Sequence, residues 1–388
     1  MLIQSPHDPA FVQDPYAVYD VARARGPVLF WKDYGMLAAF DHATVHALLR
    51  DRRLGRAVPG GRDVPDHLAA FDRVERHSLL ELEPPAHTRL RRLVLHAFTS
   101  RRIAGLAEDI HAICTDLLTD LPAGDIDLIP TYCQLVPVRV IARLLGVPEE
   151  MAPDLLRWSA AMVAMYQAGR DRAIEDAANA AAIEFTAFLR SYIEDRRHDA
   201  RDDLISELIA AQDGSERLSP DEMIGTMVLL LNAGHEATVH SLGNAVKCLI
   251  ETGRTDALGA AQIQGTVEEL LRFTPPLHMF TRYAYERVEI AGHVLEPGDE
   301  IALMLGAAGR DHAVFAAPHR FDPTRSKPAH LAFGGGLHFC VGAPLARLEM
   351  QIALPALFEH APDLQITQTP HFADSYHFHK LDQLRVHA

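Results

Sequence analysis

Residues 333–342 read Phe333-Gly334-Gly335-Gly336-Leu337-His338-Phe339-Cys340-Val341-Gly342. Three successive glycines permit a loop whose backbone comes close to a large flat group. One cysteine follows, and a helical pattern opens just behind it. A thiolate at 340 would sit near helix N-terminal N–H groups, which favour negative charge. Hydrogen bonds from those groups tune any metal the sulfur holds. Phe333 and Phe339 are placed to keep water off the sulfur. The combination suits a single axial thiolate on a haem iron. A zinc site is disfavoured, because His338 and Cys340 have no second Cys/His pair at ligand spacing. A phosphate loop would end in Gly-Lys-Ser/Thr, which is missing. A lone cysteine is most often a small buried hydrophobe, so the weight rests on the string as a whole.

That string resembles the Phe-Gly-x-Gly-x-His-x-Cys-x-Gly signature of the cytochrome P450 family at every fixed position. The resemblance runs over essentially the whole chain. It implies a mainly α fold with small β-sheets, the haem lying between a long central helix and the cysteine loop. It also implies haem b (iron protoporphyrin IX) as cofactor, Cys340 as the iron ligand, and Phe333, Gly334, His338 and Gly342 as cofactor-binding residues around it.

Two further motifs lie upstream in the family's order. Ser219-Pro220-Asp221-Glu222 is a strong helix start, with a serine cap, proline at the first position and acids in the first turn. The pattern then runs to about Ile250. Its middle holds Ala233-Gly234-His235-Glu236-Ala237-Thr238. A mid-helix glycine costs about 1 kcal/mol relative to alanine. Close helix packing is one reason for it, and room for dioxygen above a haem, left by Ala233 and Gly234, is the other. Glu236 is an acid on a largely apolar helix and needs a partner or a task. The family pattern is Ala/Gly-Gly-x-Asp/Glu-Thr, whose acid and alcohol deliver protons for oxygen activation; this implies Glu236 and Thr238 as catalytic. The chain departs from the pattern, since Ala237 occupies the threonine position and Thr238 lies about 100° further round the helix. Ordered water, a substrate hydroxyl or a displaced Thr238 are the alternative donors.

In the second motif, Glu269-Leu270-Leu271-Arg272 sits on a helix expected from about Ala260 to Pro275-Pro276, and Arg320 lies within Pro318-His319-Arg320-Phe321. The resemblance makes Glu269, Arg272 and Arg320 a buried ion cluster that holds the cysteine loop. Near the N-terminal side, Glu83-Pro84-Pro85 starts a helix that carries His87 and Arg91 at i and i+4, on one face. The family uses these two, with Arg282, to bind haem propionates. Strands are expected at 281–285, 288–290 and 300–305, with turns at Ala291-Gly292 and Pro297-Gly298. A substrate pocket is expected from Leu230, Ala237, Leu277, His278, Met279 and Phe378, with Phe280, His377 and His379 nearby. The tail at 376–379 reads as a last hairpin into it. The irregular stretch 51–85 reads as a lid or as disorder, and the resemblance implies a loop over the pocket; the apolar run Trp158–Tyr166 has the spacing of plain core, and the resemblance adds a lid as the other reading. Residues 16–25 and 343–360 read as opening and closing helices, with a hairpin at 28–40 between strands 28–31 and 36–40. The region 103–197 reads as helical, broken near Pro122-Ala123-Gly124, Gly146-Val147-Pro148 and Gln167-Ala168-Gly169.

At 388 residues and 48% hydrophobic, the chain has ample material for a large core. No linker or repeat divides it, so residues 1–388 are expected to form a single domain. The net charge of -15 argues against nucleic acid as a partner. Cys114, Cys133, Cys248 and Cys340 show no paired spacing, which fits a reducing cytoplasm. No membrane segment is expected; the prolines at 6, 9 and 15 lie in a polar N-terminus.

The resemblance implies a haem-thiolate monooxygenase that inserts one oxygen atom of O2 into a small organic substrate by hydroxylation or oxidative demethylation. No Gly-x-Gly-x-x-Gly unit follows a strand, so electrons are expected from a separate ferredoxin or flavodoxin with an NAD(P)H-dependent reductase. A basic patch near Arg89, Arg92, Arg101, Arg102 and Arg347 is expected to receive it. Ala237 leaves a peroxide-using peroxygenase open, and a non-catalytic haem-binding sensor is the rival of a different class.

Overall fold

The computed structural model describes residues 1–166, 170–213, 216–326, 330–375 and 378–388. The expected break at Gln167-Ala168-Gly169 and the tail residues Tyr376 and His377 lie outside the described residues.

Eight helices position the site: α1 (Tyr16–Arg25), α2 (His42–Leu48), α3 (Ala69–Glu75), α4 (Ala86–Ala97), α5 (Leu135–Leu145), α6 (Pro220–Thr252), α7 (Ile263–Phe273) and α8 (Ala343–His360). Helix α6 has 33 residues, about 50 Å at ~1.5 Å per residue. Its start is a capping box: Ser219 Oγ accepts from the Glu222 N–H at 3.3 Å, and Glu222 Oε2 accepts from the Ser219 N–H at 2.8 Å, satisfying two donors the helix cannot pair internally. Its end is Gly253 at φ +61°, a left-handed cap suited to glycine. Helix α7 begins at Ile263, not near Ala260, because a 3-10 turn at Thr255–Leu258 comes first.

Five strands form the principal sheet: β1 (Val28–Trp31), β2 (Met36–Ala39), β3 (Leu54–Gly55), β4 (Met279–Ala284) and β5 (Glu300–Met304), in the order β1-β2-β5-β4-β3. β2 and β5 run parallel and the other pairs antiparallel. β4 starts two residues before the expected Thr281. The alternation of a strand sends its side chains two ways. Phe280 packs on the cluster that includes Ala284, Leu303 and Leu305. Met279 turns the opposite way, into the cluster of Phe11, Tyr19 and Trp31. A third, much larger apolar cluster reaches from Leu68 to Val386 and takes in both faces of α6 and the inner face of α8. No helix among the described residues is long and apolar enough to cross a membrane.

Candidate haem site

The cysteine loop leads from Leu331 into α8. Gly336 has φ +65°, and a Cβ there would run into the Leu49 carbonyl oxygen. Gly334, at φ +70°, would meet the Phe280 ring at 3.0 Å. Both glycines therefore let the loop press against the end of α2 and against β4, so their first task is packing the loop rather than admitting a flat group. The Cys340 N–H donates to the Phe333 carbonyl at 3.1 Å, which fixes the turn. Arg91, from α4, donates to the Phe339 carbonyl at 2.6 Å.

Cys340 is exposed, although it sits where the loop meets α8. Protein packs densely around its sulfur. Those surroundings raise the thiol through burial, while the N–H groups of Gly342 and Ala343 and the charges of Arg91 and Arg347 pull it down. The arrangement is the expected one, with backbone donors at a helix start directed at sulfur. Phe333 and Phe339 meet edge to face at 6.3 Å between centroids.

A second exposure lies on α6. Ala233 is the one exposed residue between Asp221 and Ile250 on this otherwise buried helix. Ala237, one turn on, is half-buried. Gly234 faces elsewhere: a Cβ there would stand 2.9 Å from Ile141 Cγ1 of α5. It serves close packing of two helices, which corrects its assignment as a cofactor contact. Thr238 is buried at 4%.

Cations gather at the other border. His87 is 1% exposed, and neither ring nitrogen has a hydrogen-bond partner among the described residues. Burial first, then the charges of His338 and Arg91, lower its pKa to about 4. Arg282 is buried and donates to its neighbour's Thr281 carbonyl at 2.8 Å; burial, then the charge of Arg56, lowers it to about 10. His338 stands 4.5 Å from the His87 ring, and its Nε2 is 3.0 Å from Glu83 Oε1. Sequence reasoning missed Arg56. Its N–H donates to Glu83 at 2.6 Å and its guanidinium stands 5.9 Å from the Phe280 ring. One arginine among several in an irregular stretch carried no local signal. A buried guanidinium at Arg282, with Arg56 near it and an orphaned buried imidazole at His87, calls for an anion. A flat dianionic group carrying a metal fits these residues: Arg282, His87 and Arg56 would hold its carboxylates and Cys340 its metal.

The expected pocket wall is partly corrected. His278 is fully buried on the Tyr19 side of β4. It hydrogen-bonds the Tyr19 hydroxyl through Nδ1 at 2.9 Å and lies 4.5 Å from the His379 ring. Met279 follows its face of β4 into the same region. Leu230 and Ala237 are half-buried on α6. Leu277 pairs with Phe378 in an isolated bridge, and the Phe378 ring is 5.6 Å from His240. His377 lies outside the described residues.

The ion cluster also needs one change. Arg272 holds Glu269 with two bonds, at 2.7 and 2.8 Å. The second guanidinium is that of Arg325, at 3.1 and 3.2 Å. Arg320 is exposed, and its carbonyl, not its side chain, faces the cluster. The expected basic patch is similarly engaged: Arg89 pairs with Glu222, Arg102 with Asp202 and Glu207, and Arg347 with Glu268 at 2.5 Å. A 960 Å³ groove elsewhere, lined by Arg139, Arg143, Glu149 and Tyr192, contains none of the motif residues.

The comparisons agree with this geometry. The family model for cytochrome P450 matches residues 263–362, which include the Glu269–Arg272 pair and the cysteine loop. The monooxygenase PikC of Streptomyces venezuelae is 35% identical over 376 residues, covering 93% of this chain and 87% of that protein. The 6-deoxyerythronolide B hydroxylase of Saccharopolyspora erythraea is 35% identical over 374 residues, covering 92% and 91%. Among solved structures, the bacillaene polyketide synthase cytochrome P450 PksS of Bacillus subtilis 168 superposes with a TM-score of 0.90 at 31% identity, covering 99% of each chain. With relatives matched nearly end to end and a lone thiol set against buried cations, the chain belongs to the cytochrome P450 family.

Proposed function

We propose that this haem b monooxygenase acts on an oxygenated, polyketide-like small molecule, and that it receives electrons from a separate ferredoxin or flavodoxin served by an NAD(P)H-dependent reductase. The polyketide class is supported by the printed role of PksS. We further assign the whole of residues 1–388 to one working domain in the cytoplasm. The apolar cluster running from Leu68 to Val386 supports the first, and four cysteines free of disulfides support the second.

Haem held here supplies the oxidation, since a thiolate ligand favours O–O cleavage in dioxygen and leads to transfer of one oxygen atom into substrate. The remaining work belongs to the chain. Cys340 presents its sulfur, and the Gly342 and Ala343 N–H groups with Arg91 hold that sulfur's charge. Arg282 and His87 take the carboxylates, with His338 beside them, and fix the plane of the group. Ala233 and Ala237 leave space on α6 for oxygen and for the reacting carbon. Leu230, Leu277 and Phe378 exclude water and orient the substrate. Glu269, Arg272 and Arg325 secure the segment that feeds into the loop.

One observation carries this reading: an exposed thiol with helix N–H groups directed at its sulfur. The reduced protein under carbon monoxide is expected to show the red-displaced absorption band of sulfur coordination. Replacing Cys340 with serine should abolish that band while the fold persists. A band that survives the substitution would sink the assignment. Ala237 favours a second reading, use of peroxide. Turnover with peroxide but none with reductant, donor protein and oxygen would establish it.

A further inference from the structure

Ala237 leaves the chain without the alcohol that usually partners the acid on this helix. The neighbouring hydroxyls do not replace it. Thr238 is turned about 100° around the helix axis. Ser241 donates its hydroxyl hydrogen to the Ala237 carbonyl at 2.9 Å. The group that does reach Glu236 is His240. Its Nε2 lies 3.1 Å from Glu236 Oε1, an i, i+4 pair on one helical face, with side chains only 8% and 15% exposed. At such burial the two groups control each other's charge.

The surroundings favour one shared proton. His235 Nε2 stands 3.8 Å from Glu236 Oε2 and has no hydrogen-bond partner among the described residues. Lys380 contributes positive charge from the C-terminal segment, which Asn244 fastens to α6 through the His379 carbonyl at 2.9 Å. The Phe378 ring meets His240 edge to face. These are the charged and titratable groups that face the pair among the described residues.

We propose that His240 holds the proton for Glu236 and so takes over what the missing alcohol at 237 would do; it is a positioning residue, acting through the carboxylate. The inference rests on the monooxygenase reading. The proton moves from His240 Nε2 to Glu236 Oε1, leaving a neutral imidazole and a neutral carboxyl. The carboxyl passes it on to the dioxygen that the monooxygenase reading assigns beside Ala233 and Ala237, and the imidazole recovers one from solvent. No electron moves. Burial alone would raise the Glu236 carboxyl, but the hydrogen bond and charge of His240, then the charges of His235 and Lys380, bring it down to about 2. An ionised carboxylate only accepts, so the hydrogen in the 3.1 Å contact lies on His240 Nε2.

His240→Gln keeps an N–H donor for Glu236 and removes the titration. In the holoenzyme, an unchanged carbon monoxide spectrum first establishes that thiolate ligation is intact, a test separate from this one. Product formed per NAD(P)H is then followed from about pH 6 to about pH 9, which brackets imidazole titration. In the wild type this ratio falls as pH rises. In His240→Gln it is flat and lower at the acid end by about tenfold, below the usual contribution of general acid–base catalysis. Infrared spectra of the resting holoenzyme supply a readout without turnover: a protonated carboxyl band appears at neutral pH in His240→Gln and vanishes when Glu236→Gln is added. A pH profile that overlays the wild type, or no carboxyl band, overturns the proposal. If His240→Gln does not load haem, the wild-type infrared titration decides. An imidazole change that moves the Glu236 carboxylate band supports the pair, and independent titration refutes it.

Discussion

At the scale of single residues, the side chains that matter most are those whose charges have few alternatives. Glu269 has a side chain only 3% exposed and two guanidinium partners. Arg272 also donates to the Gly309 and Pro318 carbonyls at 2.6 and 3.0 Å, so it is committed to holding loops. Arg325 adds its own bonds to Glu269 and to the Ala316 carbonyl at 2.5 Å. Breaking one partner of a buried ionic network leaves charge uncompensated. Arg325→Ala is therefore expected to destabilise the protein by about 2 kcal/mol, the scale of a lost hydrogen bond to a charged group. Arg320→Ala, on an exposed side chain whose carbonyl is untouched, should change stability by less than about 0.5 kcal/mol. Denaturant titrations of both variants check the pair. Equal losses would restore Arg320 to the cluster. From sequence, Arg320 was the natural choice because it sits in the motif. Arg325, five residues on, reaches Glu269 only through the path of the intervening loop, which no local pattern encodes.

At the scale of elements, the stretch between β3 and α4 shares the large apolar cluster with the segments beyond α5 and is tied to them by polar contacts as well. Glu75, at the end of α3, accepts a hydrogen bond from Tyr166 at 2.9 Å. His67 Nε2 meets Glu175 at 2.7 Å, and Asn179 Oδ1 accepts from the Ala70 and Phe71 N–H groups at the start of α3. Burial first, then the nearby Glu81 charge, raises Glu75 from 4.5 to about 7. The folded state thus holds this proton more tightly than the unfolded chain. Stability is unaffected below about pH 4.5, falls as pH rises toward 7, and stays lowered above that. Glu75→Gln, always neutral, should match the wild type near pH 4.5 and exceed it near pH 8 by about 3 kcal/mol, at 1.36 kcal/mol per pKa unit. Denaturation midpoints at the two pH values test this, and an equal effect at both would refute it. Elements themselves were well marked in the sequence by their apolar pattern and by the proline and glycine beside them: α1, β1 and α8 fall on their expected bounds. What the pattern could not carry was the identity of partners across the fold. Gly234 was ambiguous until Ile141 of α5 stood against it. His278 and Met279 were read into the pocket because their neighbours belong there, and the period of β4 and the Tyr19 hydroxyl place them on the other side. The His240–Glu236 pair sits at ordinary helical spacing and gained meaning only with the burial around it.

At the scale of the whole molecule, charge sets how an electron donor is met. The net charge is -15, and three of the five arginines expected to attract an acidic donor are already paired with carboxylates. Arg101, just beyond α4, is exposed. Two ranges of field then compete. At about 10 mM salt the Debye length is near 30 Å, so the donor feels the repulsion of the entire protein; at about 0.15 M it is near 8 Å and only neighbouring charges count. Reduction by an acidic ferredoxin should accordingly speed up as salt rises to about 0.1 M, where global repulsion is screened first, and slow again toward 1 M, where the Debye length of about 3 Å removes the local attraction as well. Arg101→Glu should lower the maximum and flatten the decline without altering the carbon monoxide spectrum. Stopped-flow reduction rates across the salt series measure both. A steady fall from the lowest salt upward would mean that a strong local patch outweighs the net charge, and a steady rise would mean that no basic docking face exists.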